Sequence, residues 1–454
     1  MNKYIKIIFC CIFLSALETQ ADFTSAKNDY EAKKFPEAMQ EFKRTAALGH
    51  KQSQLNIGVM YFRGEGVDKN LIDAYAWILL SAEDNNSESL RIRDIVSAKL
   101  DEQQKIKADI KLKELTEIYG NPVLRENLFP VFSEKKPDLL YASFKGFPNI
   151  PINVMFSEKI SEFQIEYDAD TKGNFHNYTL LKSEGVKAPK ELMEYFSRAK
   201  IRPKKLNGQP MWQFNSVYSV KVAGKGRGRH LMEEVNNDIR ENFTPEFDWS
   251  NSENIYQHAR ALDYSKQSKK IKQQKTLLML SAAQMGHVKA QTDIAFNTLH
   301  GLGFEQDRKK GLTWLLAAAE SKDNASLYLA ASLLYEGEIV ASDKRKAIEL
   351  LQVAADQQHA KSKIKLAWIL ATDKDSAFYD PQKALQLAKE APADYEDQVT
   401  ATETLAAAQA ANGLFDDAIA SQKLAVDFAK NIDNRFDEAK TRLDIFKQHQ
   451  AWRQ

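Results

Sequence analysis

The sequence has almost no cysteine. Two occur in 454 residues, Cys10 and Cys11, both inside an apolar N-terminal run. If that run is removed on export, the working chain has no thiol, which excludes disulfides, cysteine nucleophiles and thiolate metal sites together. An excess of charge of one sign is lacking too. The 63 Lys+Arg and 62 Asp+Glu leave a formal net charge of +1, without the basic surplus that a general nucleic-acid binder needs. Beyond the N-terminus no apolar stretch approaches the roughly 20 residues that span a bilayer. The 12 prolines are dispersed, so no stiff proline-rich spacer is expected. Catalytic patterns are missing as well: there is no His-Glu-x-x-His, no Gly-x-Ser-x-Gly and no phosphate loop. The eight histidines show no tight metal-ligand spacing. The sequence therefore names no catalytic residue, no cofactor and no metal.

What is there is globular. With 43% hydrophobic and 28% charged residues, the chain has the composition of a folded protein, and its length suits about two to four domains. Residues 1–21 read as a secretory signal peptide. Lys3 and Lys6 are the basic start, Ile7 to Leu17 is the apolar run, and Thr19 and Ala21 are the small residues of a cleavage site. The alternative is an uncleaved anchor. Cleavage would also remove Lys3, Lys6 and Glu18, taking the net charge from +1 to zero. The expected location is a bacterial periplasm.

A repeat runs through most of the remainder. Ile57-Gly58-x-x-Tyr61-x-x-Gly64-x-Gly66 has a counterpart in Ile294-Ala295-x-x-Thr298-x-x-Gly301-x-Gly303. Each is followed by a polar capping residue, Asn70 or Asp307, and by a tryptophan 13 residues after the first turn glycine, Trp77 or Trp314. Gly301 to Gly337 is 36 residues, and Gly337 to Asp373 is 36 again. Asp343 stands four before Ala347, as Asp380 stands four before Ala384, and Asp380-Pro381 is a strong helix start. Such a period predicts stacked helix pairs. Small residues let helices approach closely, the Gly-x-Gly turn supplies positive φ, and Asp or Asn caps the second helix.

These segments resemble Sel-one-like repeats (SLRs), relatives of tetratricopeptide repeats. The likeness is good at 57–82 and 294–319, partial at 331–355 and loose at 366–391, while 402–429 is closer to a 34-residue tetratricopeptide repeat. The resemblance implies an α-solenoid of helix pairs with a period of about 36 residues. Its grooves would take protein or peptide partners.

After Gly120 the pattern changes. Prolines punctuate the next thirty residues, and then the hydrophobic period becomes two. Ile150, Ile152, Val154 and Phe156 alternate with other positions, as do Phe163, Ile165 and Tyr167. Asp170-Thr-Lys-Gly173-Asn174 has a hairpin-turn composition, Phe175–Lys182 reads as the return strand and 189–200 as a helix. A last strand covers Gln213–Val222. Strand, strand, helix, strand gives a small two-layer α/β domain.

This stretch is similar to the C-terminal domain of the TonB family. Asp170-x-x-Gly173, Ser183-x-Gly185, Arg202-Pro203 and Gly208-x-Pro210 carry the likeness. It departs from that family in lacking a long membrane helix and a proline-rich spacer. The resemblance implies that Gln213–Val222 is a sheet edge able to accept a partner strand through Gln213, Asn215, Val217 and Ser219.

The expected organisation is a signal peptide at 1–21, helical repeats at 22–120, the α/β domain at 121–222, a linker at 223–250 and a second solenoid at 251–454. Two basic stretches remain. Ala223–Arg229 alternates Gly with Lys or Arg and reads as linker. Lys266, Lys269, Lys270, Lys272 and Lys275 fall on an expected helix at 254–285, as a solvated face or as a contact for an acidic partner or anionic envelope surface. The leading functional expectation is a non-catalytic periplasmic adaptor for proteins or extended peptides, with no nucleic acid and no integral membrane span. The alternatives are an accessory of TonB-dependent outer-membrane transport and, more remotely, an envelope hydrolase acting on peptidoglycan or a β-lactam.

Overall fold

The computed structural model describes residues 22–133, 139–140, 143–144, 161–184, 201–206, 208–222, 248–262, 269–392, 395–430 and 433–454. The signal peptide at 1–21, the alternating run at 150–156, the helix at 189–200, the linker from 223 to 247 and Lys266 lie outside the described residues. The chain falls into two compact units.

The first unit holds the described residues up to Gly120, with Ser250–Ser252 and Gln284–His287. Its helices are α1 (Phe23–Glu31), α2 (Phe35–Ala47), α3 (Lys51–Arg63), α4 (Leu71–Ser81), α5 (Ser87–Ser97) and α6 (Glu102–Tyr119). Asp22 and Ser25 form a capping box at the start of α1. The Asp22 carboxylate also accepts from Ser252 Oγ, and Phe23 N donates to Met285 O. Later pieces of chain are thus stitched to the first helix. In the α3–α4 pair, Gly64 ends α3 at φ +74° and Asn70 caps α4 by accepting from Ile72 N and Asp73 N. At Gly58, a Cβ would lie 2.6 Å from Ile78 Cγ1 and 3.0 Å from the Ala74 carbonyl. Only a residue without a side chain lets these helices meet. Trp77 is buried, with its ring 4.9 Å from that of Tyr119.

The second unit holds Asn121–Trp249, Glu253–Ala283 and Val288–Gln454. It begins with α7 (Asn121–Asn127). The expected helix at 254–285 is two helices, α8 (Ser252–Ala261) and α9 (Lys269–Gln284). Four helix pairs then follow: α10 (Val288–His300) with α11 (Arg308–Glu320), α12 (Asn324–Glu336) with α13 (Lys344–Asp356), α14 (Ala360–Thr372) with α15 (Pro381–Lys389), and α16 (Gln398–Ala411) with α17 (Phe415–Ala429). Helix α18 (Asp433–Lys447) closes the stack. The turns have a repeated chemistry. Gly301, Gly303 and Gly337 all have φ near +70°. Asp307, Asp343 and Asp380 each accept from the backbone N–H three residues on. Asp373 occupies the place that Gly337 has one period earlier but keeps φ at −61°.

Trp314 is fully buried, and its indole Nε1 donates to Leu128 O at 2.9 Å. Lys310 Nζ donates to Arg125 O and Phe129 O. The segment from α7 to Phe129 therefore packs on α11 as part of the repeat stack, although its prolines and position assign it to the α/β domain in the sequence.

The sheet consists of β3 (Ser161–Ala169), β4 (Phe175–Glu184) and β8 (Gln213–Val222), antiparallel in the order β4-β3-β8. Phe163, Ile165 and Tyr167 fill its buried face, as their alternation predicts. Short pairings flank it: β1 (Leu139–Leu140) with β6 (Lys205–Leu206), β6 with β7 (Gln209–Pro210), and β2 (Ser143–Phe144) with β5 (Ile201–Arg202). Asp170 shapes the β3–β4 turn by accepting from Lys172 N and Asn174 N. Around Asp168 the register slips on both sides. The extra residues are accommodated where Asn177 and Asn215 take φ of +49° and +47°. Asn tolerates that left-handed conformation better than most residues.

Candidate functional site

The first helix of each later pair in the second unit turns one face toward the β3–β4 hairpin. Tyr328 and Tyr335 come from α12, Lys365 and Trp368 from α14, Glu403 and Thr404 from α16, and Arg435, Glu438 and Arg442 from α18. Within α12, α14 and α18 these positions are three, four or seven apart, the spacing of a single face, while Glu403 and Thr404 are neighbours on α16. With Asp168, His176, Asn177, Trp212 and Phe214 of the sheet they enclose a groove of about 370 Å³.

The hairpin is fixed to this face by two buried carboxylates. Asp168 accepts from Tyr328 Oη at 2.6 Å, Asn177 Nδ2 at 3.0 Å and Asn215 N at 2.9 Å, and pairs with Lys361 Nζ at 3.0 Å. Lys361 also reaches Glu166 Oε1 and Asn215 Oδ1. Burial and the Asp168 carboxylate hold the Tyr328 hydroxyl well above the usual tyrosine range, so it stays a donor. Asp397 accepts from Asn177 N at 2.8 Å and from Thr400 N, and pairs with Arg435 at 3.0 Å. Arg435 in turn donates to the Phe175 carbonyl on β4. Burial pushes the Asp397 carboxyl up, but Arg435 and Thr400 outweigh it and hold it below the ordinary value.

The groove wall is aromatic and charge-balanced. Trp212 and Phe214 stack with ring planes 2° apart. Lys365 lies over Phe214 and pairs with Glu336. The Arg442 guanidinium sits between the Trp368 and Trp452 rings, 5.3 and 5.4 Å from their centroids, and pairs with Glu403 at 2.7 Å. Lys172 pairs with Glu438. These cations all have carboxylate partners, so the groove suits a neutral polar or aromatic segment better than a free anion. His176 and Asp170 approach to 3.1 Å at the groove rim. The same carboxylate is committed to the turn; burial, the largest single effect, pushes its pKa up, but His176 and Asn174 together outweigh it and hold it below the ordinary value. Among the described residues, no group of three or more His, Cys, Asp or Glu is placed to hold a metal ion, and no helix is long and apolar enough to cross a membrane.

The four recognition residues expected on β8 part company. Gln213, on the outer strand of the sheet, lines a cavity. Asn215 Nδ2 donates to Ala325 O at the start of α12, so this residue joins sheet to stack. Val217 is exposed, and Ser219 pairs through its backbone position with Gln164. Strict alternation fails because the bulge at Phe214 and Asn215 resets the faces. Trp212 and Phe214 accordingly face the repeat helices. The turn glycines, Trp77, Trp314, Asp343 and Asp380 all serve packing and caps, outside the groove.

Residues 51–86, 288–323 and 324–359 match the family described as Sel1 repeat. Three segments of the chain are Sel1 repeats. They contain the motifs at 57–82, 294–319 and 331–355, while the pairs α14–α15 and α16–α17 lie beyond the matched segments as further helix pairs. Among solved structures, a Sel1 repeat protein from Oxalobacter formigenes is similar at 17% identity over 49% of this chain, with a TM-score of 0.35. The chain spans 61% of the length of that protein. The protein c5321, a protective antigen of uropathogenic Escherichia coli strains with an SLR fold, is similar at 16% identity over 94% of this chain and 78% of its own, with a TM-score of 0.31. No curated protein matches the chain. The fold is mainly helical, an SLR solenoid with a small three-stranded antiparallel sheet.

Proposed function

We propose that this chain is an exported, non-catalytic scaffold of the bacterial envelope that holds an extended segment of a protein partner in the groove between the β3–β4 hairpin and the α12–α18 helices. The Sel1 repeats support a protein-interaction role. The observation that carries the site is the aromatic wall of Trp212, Phe214 and Trp368 around cations that are already paired. Such a surface offers stacking and hydrogen bonds without a net field, which suits uncharged peptide side chains. The basic and apolar pattern of residues 3–17 supports export to the periplasm, and cell fractionation tests it. A photo-cross-linker placed at Thr404, inside the groove, should capture a specific envelope protein, and Trp368→Ala should reduce that capture at least fivefold. Equal capture from a cross-linker at Lys423, outside the groove, would remove the assignment.

A second reading rests on the outer position of β8 in the sheet and the exposure of Val217. Beyond Asn215 this edge could take a partner strand, as an accessory of TonB-dependent transport would. Titration of the whole chain with an extended receptor peptide decides it. No binding at high micromolar peptide ends that reading.

A further inference from the structure

Beside the groove lies a separate cavity of about 130 Å³. Lys204 on its wall is 6% exposed. Its Nζ stands 3.8 Å above the Phe296 ring and, among the described residues, has neither a hydrogen bond nor an ion pair. Two polar atoms of the wall are buried without partners, Gln213 Nε2 and His300 Nδ1. The rest of the lining is largely apolar, with Leu315, Leu333 and Ile339. A largely buried ammonium with no counter-charge is costly, and pairing it with an anion offsets part of that cost. Burial pushes the Lys204 ammonium down to about 8, so it is still mostly charged at neutral pH. Burial first, and then the charge of Lys204, lowers His300 to about 3. The imidazole is therefore neutral and able to donate through Nδ1.

The space limits the ligand. An apolar cavity of about 150 Å³ takes up benzene. This one holds a body of that order or slightly smaller, too little for a phosphorylated sugar or a nucleotide. One cation and one amide donor match a single carboxylate better than a dianion. We propose that this cavity binds a small monocarboxylate with an apolar body, its carboxylate on Lys204 Nζ and Gln213 Nε2 and its hydrocarbon part among Leu315, Leu333 and Ile339.

The test is calorimetric titration of the whole chain with isovalerate, benzoate, benzamide and inorganic phosphate. At least one of the two carboxylates should bind at least tenfold more tightly than benzamide, and phosphate should not compete. Lys204→Met should weaken that carboxylate at least tenfold without lowering the melting temperature, since it removes an uncompensated charge. Gln213→Leu should weaken it severalfold and decides the matter if the lysine variant fails to fold. Absence of binding by both carboxylates at millimolar concentration, equal binding of benzamide, competition by phosphate or undiminished binding in the variants would each overturn the proposal.

Discussion

At the scale of single residues, two histidines show how the repeat places a titratable group. His50 precedes α3 and His359 precedes α14, and each pairs through Nδ1 with a serine three residues on, Ser53 at 2.9 Å and Ser362 at 2.8 Å. Each follows a residue in left-handed conformation, Gly49 or Gln358. Burial lowers His50 to about 3. Burial and then Lys361 lower His359 to about 4. Both are neutral in the folded protein, whereas an unfolded histidine titrates near 6.5. Between those values the unfolded chain binds more protons than the folded one, so stability is full above about pH 6.5 and declines as pH falls from there toward 4. The melting temperature should fall across that window, and His50→Asn with His359→Asn should flatten the fall while placing a residue that suits the start of a helix. An unchanged pH profile in the double variant would count against this account. The signal was present in the sequence, since His287, the residue before α10, stands 72 residues, two full periods, ahead of His359. A search for metal-ligand spacing passes over it.

At the scale of elements, the helix pairs were readable because their demands are local. A turn needs positive φ, a helix start needs an acceptor, and a close crossing needs a missing Cβ. Each leaves a residue type at fixed spacing. Gly66 and Gly303 hold equivalent places with the same φ of +73°, yet a Cβ on Gly66 would lie 2.6 Å from Phe35 Cβ while one on Gly303 would meet nothing within 4 Å. Gly303→Ala should therefore cost only the left-handed conformation, about 1–2 kcal/mol. Gly66→Ala should cost a further 1–3 kcal/mol or so from overpacking. Denaturant unfolding, read in the unit that holds each glycine, checks the order, and a larger loss at Gly303 would contradict it. Asp343→Ala, which removes only a cap, should cost about 0.5–2 kcal/mol. The β8 strand was less readable. Its alternation holds until Asn215, and the bulge there depends on Asp168, whose other partners Tyr328 and Lys361 lie more than 150 residues further along the chain. No window of sequence contains that constellation.

At the scale of the second unit, the sheet changes what kind of solenoid this is. Repeat stacks are held by nearest-neighbour contacts, so their ends and middles can open separately. Here β3 and β4 tie α12, α14, α16 and α18 together through Asp168 and Asp397, bridging helices from different repeats. Removing one partner of a buried pair leaves the other charge without compensation and costs about 3–5 kcal/mol. Asp168→Ala strands Lys361, which is itself buried and, among the described residues, retains only the more exposed Glu166 carboxylate as an ion partner. The sheet and the repeat helices should therefore open as one cooperative body in the parent chain, with backbone amides of β3, β4 and α14 sharing one level of hydrogen-exchange protection. In Asp168→Ala the hairpin should lose protection by a factor of a hundred or more while the α12–α13 interior keeps most of its own. If the hairpin amides of the parent chain exchange freely while α14 is protected, the two carboxylates are not holding the sheet to the stack, and the groove between them is not a preformed site.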